Sequence, residues 1–93
     1  MRTIERSAQF KQDDKREAKG RHAATLDANL IPILRALASD DPLEGRHRDH
    51  ALSGTWAGYR DCHVKPDPVL IYRKPDADTL RLARLGSHSE VFG

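Results

Sequence analysis

The chain has 93 residues, of which 38% are hydrophobic and 5% aromatic, so it can bury one modest core. Sixteen basic and fourteen acidic residues give a net charge of +2, which excludes neither nucleic-acid nor protein partners. No apolar run reaches the ~20 residues that a membrane-spanning helix needs, and the opening MRTIERSAQF lacks the apolar region of a signal peptide. We therefore expect one domain over residues 1–93, located in the cytoplasm. The lone Cys62 agrees with a reducing compartment.

The first half of the chain predicts two helices. RTIER alternates weakly and fits a short strand. SAQFKQDDKREAKG indicates a polar helix, with Ser7 as its N-cap and Gly20 as its stop. A second helix is indicated by apolar residues at helical spacing, namely Leu26, Leu30, Ile33, Leu34 and Leu37. Pro32 interrupts this stripe, and it either kinks the helix or lies in the first turn of a helix that begins near Asn29.

The second half predicts strands. Residues 40–57 are rich in turn formers and have no sustained period, and such a long loop is usually functional or disordered. GYRDCHV then alternates, with Tyr59, Asp61 and His63 on one side. PVLIYRK and LRLARLG follow as two more strands, after turns at VKPD and PDAD. The expected fold class is α+β, with two N-terminal helices packed on a small antiparallel sheet.

The histidines are the first candidates for chemistry. Their spacing matches no HExxH or CxxC pattern, so we expect neither a metal nor a cofactor. A histidine titrates near pH ~6.5 and can exchange protons at neutral pH. His63 and Asp67 flank one turn, His50 precedes the hairpin, and His88 follows the third strand. These segments would converge on one sheet edge as an acid–base site, although each histidine also fits an ordinary surface position.

Basic and aromatic residues offer contacts for an RNA. Residues 60–84 contain six basic side chains, including Arg60 and Arg84, which suit phosphate binding if they share a face and otherwise only solvate the surface. Trp56 fits either core packing or a stacking surface for a base. Phe92, next to the last residue, either closes the core or stacks on a ligand.

Three segments resemble one toxin family. RDHALSGTWAGYRDCHVKPD, GSHSEVFG and the opening IERSAQFKQDDK are similar to the YafQ-type branch of the RelE/ParE superfamily, over essentially the whole chain. The resemblance implies the RelE-like toxin fold and a toxin of a type II toxin–antitoxin system. Such toxins cut messenger RNA in the ribosomal A site without a metal. The ribose 2′-hydroxyl attacks the adjacent phosphorus and the 5′-oxygen leaves.

The resemblance also implies roles for individual residues. This reaction needs a general base, a general acid and positive charge near the phosphate. His50 and His88 would share the acid and base roles, Asp67 would orient a histidine or accept the proton, and His63 would help hold the phosphate. Phe92 would position the nucleotide. Arg84, Arg60 and Trp56 are further substrate-binding candidates.

The expected partners are a cognate antitoxin, the ribosome and its mRNA, with no membrane. Two prolines depart from the family pattern, Pro32 in the second helix and Pro68 directly after Asp67, and they put fine geometry and codon preference in doubt. Rival readings are a gyrase-poisoning toxin of the same fold, a non-catalytic RNA- or ribosome-binding domain, and a metal-dependent hydrolase. Cutting of ribosome-bound mRNA that survives a chelator and requires His88 would separate these readings.

Overall fold

The computed structural model describes residues 1–20, 23–64 and 68–92, where three helices and a five-stranded sheet are found. The strands are β1 (Thr3–Arg6), β2 (His50–Ala51), β3 (Arg60–His63), β4 (Val69–Asp76) and β5 (Thr79–Gly86). The helices are α1 (Ala8–Ala18), α2 (Ala23–Ala38) and α3 (His88–Phe92), and short 3-10 turns at Gly45–His47 and Gly54–Trp56 flank β2. Within the described ranges no helix has the length and apolar character needed to cross a membrane. The predicted α+β class is confirmed.

The sheet has the strand order β1-β5-β4-β3-β2. Strands β3, β4 and β5 pair antiparallel, as predicted, and β2 adds an antiparallel edge strand that was not predicted. Strand β1 joins the other edge of the sheet parallel to β5. The sheet is therefore mixed rather than fully antiparallel. Parallel neighbours need a long crossover, and the chain between β1 and β5 supplies it.

The two long helices begin and pack as their sequences predict. Ser7 caps α1, because its Oγ accepts a hydrogen bond from the backbone N–H of Phe10 and donates one to the carbonyl of Ala83. Helix α2 begins at Ala23 and continues through Pro32, so the alternative of a helix that begins near Asn29 is wrong. Pro32 is exposed and costs the helix one backbone hydrogen bond. The buried apolar stripe of α2 stabilises the helix against that loss.

The sheet separates a large apolar cluster from a small one. The large cluster lies between the sheet and helices α1 and α2, and its buried members include Phe10, Leu30, Leu70, Tyr72 and Leu82. The small cluster lies on the opposite face and is built on Ile71, Ala83 and Val91, with Leu52, Trp56, Tyr59 and Phe92 packed around it. The face with the small cluster carries the candidate site.

Some elements differ from the sequence prediction. Strand β4 continues through Pro75 to Asp76, so the second turn is shorter than the predicted PDAD. Strand β2 and helix α3 were not predicted, because two and five residues are too few to show a period. Ala83 has no pairing partner between Leu82 and Arg84, which pair with Tyr72 and Ile71, so a β-bulge bends β5 at this point.

Candidate active site

His50 and Asp61 face each other across the two strands at one edge of the sheet. His50 of β2 pairs with Asp61 of β3. The Nδ1 atom of His50 lies 2.7 Å from the carbonyl oxygen of Arg48 and 3.0 Å from Oδ1 of Asp61. The side chain of His50 is 56% exposed, and that of Asp61 is 1% exposed. A solvent-facing imidazole therefore lies against a buried carboxylate.

The Arg48 contact fixes the tautomer of His50. A carbonyl oxygen can only accept, so Nδ1 must carry the proton that it donates to Arg48. In the neutral ring Nε2 is then unprotonated and able to accept a proton. The N–H points to the carbonyl, and no group within the described ranges donates a hydrogen bond to Oδ1 of Asp61. The carboxylate is nevertheless close enough to stabilise a positively charged His50.

Asp61 lies at the electrostatic centre of the site. Burial raises the pKa of its carboxyl group above the ordinary value, and the positive charge of His50, His63 and His88 opposes this rise without cancelling it. A buried carboxylate oxygen that accepts no hydrogen bond from the described residues, such as Oδ1 of Asp61, lowers the stability of a fold. Such groups are concentrated at functional sites. The carboxylate of Asp61 is therefore a candidate for chemistry rather than for structure.

Helix α3 closes the site from the other side. A concave pocket of about 270 Å³ is lined by His50, Leu52, Ser53, Trp56, Asp61, His88 and Phe92. His88 and Phe92 lie one turn apart on α3, with ring centroids 4.7 Å apart and planes inclined at 46°. Two exposed histidines from distant parts of the chain thus border one pocket with a buried carboxylate and two aromatic rings.

An aromatic and basic surface extends from the pocket along the sheet. Trp56 packs edge-on against Tyr59, with ring centroids 5.2 Å apart, and the guanidinium of Arg73 lies 5.7 Å from the centre of the Tyr59 ring. Arg73 pairs across the strands with Arg81, whose charge is partly balanced by Glu5 at 3.2 Å. Like charges directly opposite each other in a sheet are unfavourable. This arrangement suits an anionic ligand.

The sequence profile of YafQ, the bacterial toxin of type II toxin–antitoxin systems, matches residues 2–93. The chain belongs to the YafQ family. The mRNA interferase toxin YafQ of Escherichia coli is 43% identical over 95 residues, which span 100% of this chain and 98% of that protein.

Solved structures agree with this assignment. The toxin chain in the E. coli DinJ–YafQ toxin–antitoxin complex is 38% identical, with a TM-score of 0.83 over 99% of this chain and 98% of that one. A copper-bound mutant toxin from Helicobacter pylori is 40% identical, with a TM-score of 0.85 over 99% of this chain and 100% of that one. The YafQ fold is thus present over nearly the whole chain.

The structure brings four of the predicted YafQ-type site residues to the pocket, namely His50, Trp56, His88 and Phe92. His63 does not line it. His63 ends β3, its carbonyl accepts a hydrogen bond from Nδ1 of His47 at 2.8 Å, and its charge acts on Asp61 from the side. Asp67, the remaining catalytic candidate, lies outside the described residues.

The two predicted phosphate-binding arginines have partners elsewhere in the fold. Arg84 donates from Nε to Oδ2 of the fully buried Asp13 in α1 at 2.7 Å, and its side chain is only 20% exposed. Arg60 donates from Nε to Asp49 at 3.2 Å. The structure therefore places neither arginine in the pocket and gives each of them a role in holding elements together.

Sequence reasoning missed two residues of this surface. The alternation of GYRDCHV predicts that Asp61 shares a strand face with Tyr59 and His63, and this shared face is the local signal that points to Asp61. Arg73 had only been counted among the basic residues. Within residues 1–20, 23–64 and 68–92 no group of three or more His, Cys, Asp and Glu side chains is arranged to hold a metal ion.

Proposed function

We propose that this YafQ-family toxin is a ribosome-dependent endoribonuclease, which cleaves mRNA in the ribosomal A site and so inhibits translation. The observation that carries the proposal is the pocket in which His50, with its fixed tautomer and its buried carboxylate neighbour, shares a border with His88. The E. coli relative, an mRNA interferase by name, supports the substrate class.

His50 acts as the general base in this proposal. Its Nε2 accepts the proton of the ribose 2′-hydroxyl while the oxygen of that hydroxyl attacks the adjacent phosphorus. The ring becomes an imidazolium, and the carboxylate of Asp61, 3.0 Å from Nδ1, stabilises the new charge. Asp61 thus acts through His50 and does not itself take part in proton transfer.

His88 acts as the general acid. Its imidazolium gives a proton to the 5′-oxygen as the bond between that oxygen and phosphorus breaks, which leaves a 2′,3′-cyclic phosphate and a 5′-hydroxyl. Phe92 lies against the His88 ring and contributes an apolar surface for the nucleotide. In the whole reaction His50 gains one proton and His88 loses one, so the protons balance, and no metal is required as a reactant.

Positive charge and stacking surfaces complete the proposed site. Arg73, with Arg81 beside it, is better placed for the RNA backbone than Arg60 or Arg84, because the latter two are held by Asp49 and Asp13. Trp56 offers a ring for base stacking at the pocket border. His63 and Asp67 remain candidates for holding the phosphate and for orienting a histidine.

The proposed partners follow from the same function. The ribosome presents the mRNA, so the toxin acts in the cytoplasm, and contacts with RNA phosphates make its binding sensitive to salt. A cognate antitoxin neutralises it, as the E. coli toxin–antitoxin complex of a family member suggests.

The decisive test is primer extension on mRNA in a purified translating ribosome complex, with the wild type, His50→Ala and His88→Ala. Each variant should lower the cleavage rate by roughly 10²–10⁴-fold, the contribution of a general acid or base. His47→Ala, a buried histidine that bonds the carbonyl of His63, is a control for histidine loss outside the pocket.

Two results would contradict the proposal. The first is an absence of cleavage by the wild type while ribosome binding is intact, which would indicate a non-catalytic binding protein. The second is cleavage that stops in a chelator and returns with a divalent metal, which would indicate a metal-dependent nuclease. A copper-bound toxin from H. pylori makes the second comparison necessary.

A further inference from the structure

Helix α3 carries two residues of the pocket but is too short to be stable by itself. It has five residues, and isolated helices of this length do not persist in water. A capping box holds its first turn, because the N–H of Ser87 donates to Oε1 of Glu90 at 2.9 Å and the N–H of Glu90 donates to Oγ of Ser87 at 3.2 Å. Val91 is buried against the small cluster. The position of His88 therefore depends on what holds Glu90 and Val91.

One guanidinium joins α3 to the rest of the fold. Arg16 of α1 contacts Oε2 of Glu90 at 3.2 Å, Oδ1 of Asp13 at 3.1 Å, and the carbonyl of Leu85 at 2.9 Å. These contacts reach α3, α1 and β5 respectively. A planar guanidinium can meet several acceptors at once, which the single ammonium group of lysine cannot do with the same geometry.

Gly86 provides the space for this guanidinium. A Cβ atom at Gly86 would lie 2.6 Å from Nη2 of Arg16 and 3.3 Å from Cγ2 of Val91. The first distance is too short for any side chain unless Arg16 moves away. The absent side chain at residue 86 and the contacts of Arg16 with Glu90, Asp13 and Leu85 are thus separate observations of the same junction.

We propose that Arg16 is a positioning residue that fixes helix α3, and through it His88 and Phe92, against the sheet. The inference rests on the proposed function for its catalytic part only. Arg16 does not contact the rings of His88 and Phe92 themselves, and it acts on their position through Glu90. Because displacement of a reacting group by about 1 Å can cost 10²-fold in rate, loosening of α3 should lower the rate of the chemical step more than it weakens substrate binding.

The test combines single-turnover cleavage with proton NMR of the histidine rings. Arg16→Gln should lower the maximal cleavage rate by roughly 10- to 100-fold and leave the half-saturating ribosome concentration unchanged. The His88 ring resonances should move as the contact with Phe92 is lost, while those of His50 should stay in place. Lys15→Gln removes the same charge from the adjacent exposed residue of α1 and should change neither readout.

Further variants address the junction from other sides. Arg16→Lys should restore part of the rate, and Gly86→Ala should reproduce both the rate loss and the movement of the His88 signals. Glu90→Gln should lower the rate, and its combination with Arg16→Gln should lower it little further, because both changes remove the contact between Arg16 and Glu90.

Three results for Arg16→Gln would overturn the inference. The first is an unchanged rate with unmoved His88 signals, and the second is equal movement of the His50 and His88 signals. The third is a higher half-saturating ribosome concentration at an unchanged maximal rate. The last result would make Arg16 an RNA contact. The NMR measurement needs no substrate, so an inactive wild type would refute the proposed cleavage while the NMR result still decides whether Arg16 holds α3.

Discussion

Two aspartates are almost fully buried on opposite faces of the sheet, and they differ in the hydrogen bonds that their carboxylates accept. Asp13, 0% exposed beneath α1, accepts hydrogen bonds from Arg84, Arg16, Gln9 and the backbone N–H of Leu85. Asp61, 1% exposed beneath the pocket, has an oxygen to which no described residue donates a hydrogen bond. Similar burial therefore accompanies very different hydrogen bonding.

The pKa values follow this difference. Burial acts to raise the pKa of Asp13, but hydrogen bonds from Arg84 and Leu85 outweigh it, so the pKa lies below the ordinary value. Burial also acts to raise the pKa of Asp61, and there the histidine charges do not outweigh it. The helix face therefore uses a buried charge to join elements. The site face keeps a buried carboxylate whose Oδ1 accepts no hydrogen bond from the described residues, and this oxygen lies 3.0 Å from Nδ1 of His50, where it can respond to a change of charge on that ring.

The largest effect on the free energy of unfolding should come from replacing Asp13, the aspartate that accepts several hydrogen bonds. Asp13→Ala leaves Arg84 beside a cavity without its partner, and breaking a buried ion pair in this way costs about 3–5 kcal/mol of the free energy of unfolding. Because the pKa of Asp13 is lowered, its contribution is present above the ordinary carboxyl pKa and disappears as the pH falls through the lowered value. Urea unfolding at neutral and acid pH measures both effects.

Asp14→Ala is the matched control on the same helix, since Asp14 is only half-buried. It should change the free energy of unfolding by no more than about 0.5 kcal/mol. Equal losses in the two variants would mean that the hydrogen bonds of Asp13 do not stabilise the fold, and the contrast between the two faces would fail.

These two aspartates also show how much of the structure could be predicted from the sequence. Ser7 and Gly20 marked the ends of α1, and helical spacing identified α2. Alternation identified β3, and the turns on either side marked β4 and β5. The partner of Arg84 could not be read in this way. Asp13 lies 71 positions away, and only the packing of α1 on β5 brings the two together. From the sequence Arg84 was therefore a candidate for binding phosphate, whereas in the structure it forms an ion pair with the buried Asp13.

The site was predicted in its parts but not in its centre. His50, His63 and His88 were expected to converge because they follow or precede strands that share an edge. Phe92 was added to the site by the family resemblance. Asp61 was missed because its raised pKa comes mainly from burial, and because its position opposite His50 depends on strand pairing; the alternation of β3 shows neither. Helix α3 was missed because its five residues are too few to show a helical period.

An intermediate effect is expected where the large core meets the site. The ring of Tyr72 is buried among the helices, and its hydroxyl donates to Oδ1 of Asp49 at 2.6 Å, next to His50. Tyr72→Phe removes a hydrogen bond to a charged group, which should cost about 1.5–3 kcal/mol. It should also lower the cleavage rate, by less than His50→Ala does. Urea unfolding and primer extension on one preparation measure both.

Tyr59→Phe removes a hydroxyl from the half-buried ring on the other face and keeps the contacts with Trp56 and Arg73. It should stay within about 0.5 kcal/mol of the wild type. If Tyr72→Phe loses no more stability than this control, the core does not hold the segment before His50, and the two faces are more independent than the structure indicates.

The smallest effect on stability, and the only gain, should come from Asp61→Asn. Because burial raises the pKa of Asp61, the unfolded chain ionises at a lower pH than the folded one. The free energy of unfolding of the wild type should therefore fall as the pH rises from about 4, the ordinary carboxyl value, to the raised value, and stay level above it. Asparagine cannot ionise, so the variant should lack this fall and be more stable than the wild type at neutral pH.

The cleavage rate of Asp61→Asn should move in the other direction, because the imidazolium of His50 loses the charge that stabilises it. Asp14→Asn, measured beside it, should show neither the gain nor the rate loss. A variant that is less stable than the wild type at neutral pH would mean that the carboxylate of Asp61, like that of Asp13, has hydrogen-bond donors that stabilise its charge. A variant that is more stable but equally active would mean that the buried charge does not assist His50. Only a gain in stability together with a loss of rate fits a carboxylate that is retained for catalysis at a cost to the fold.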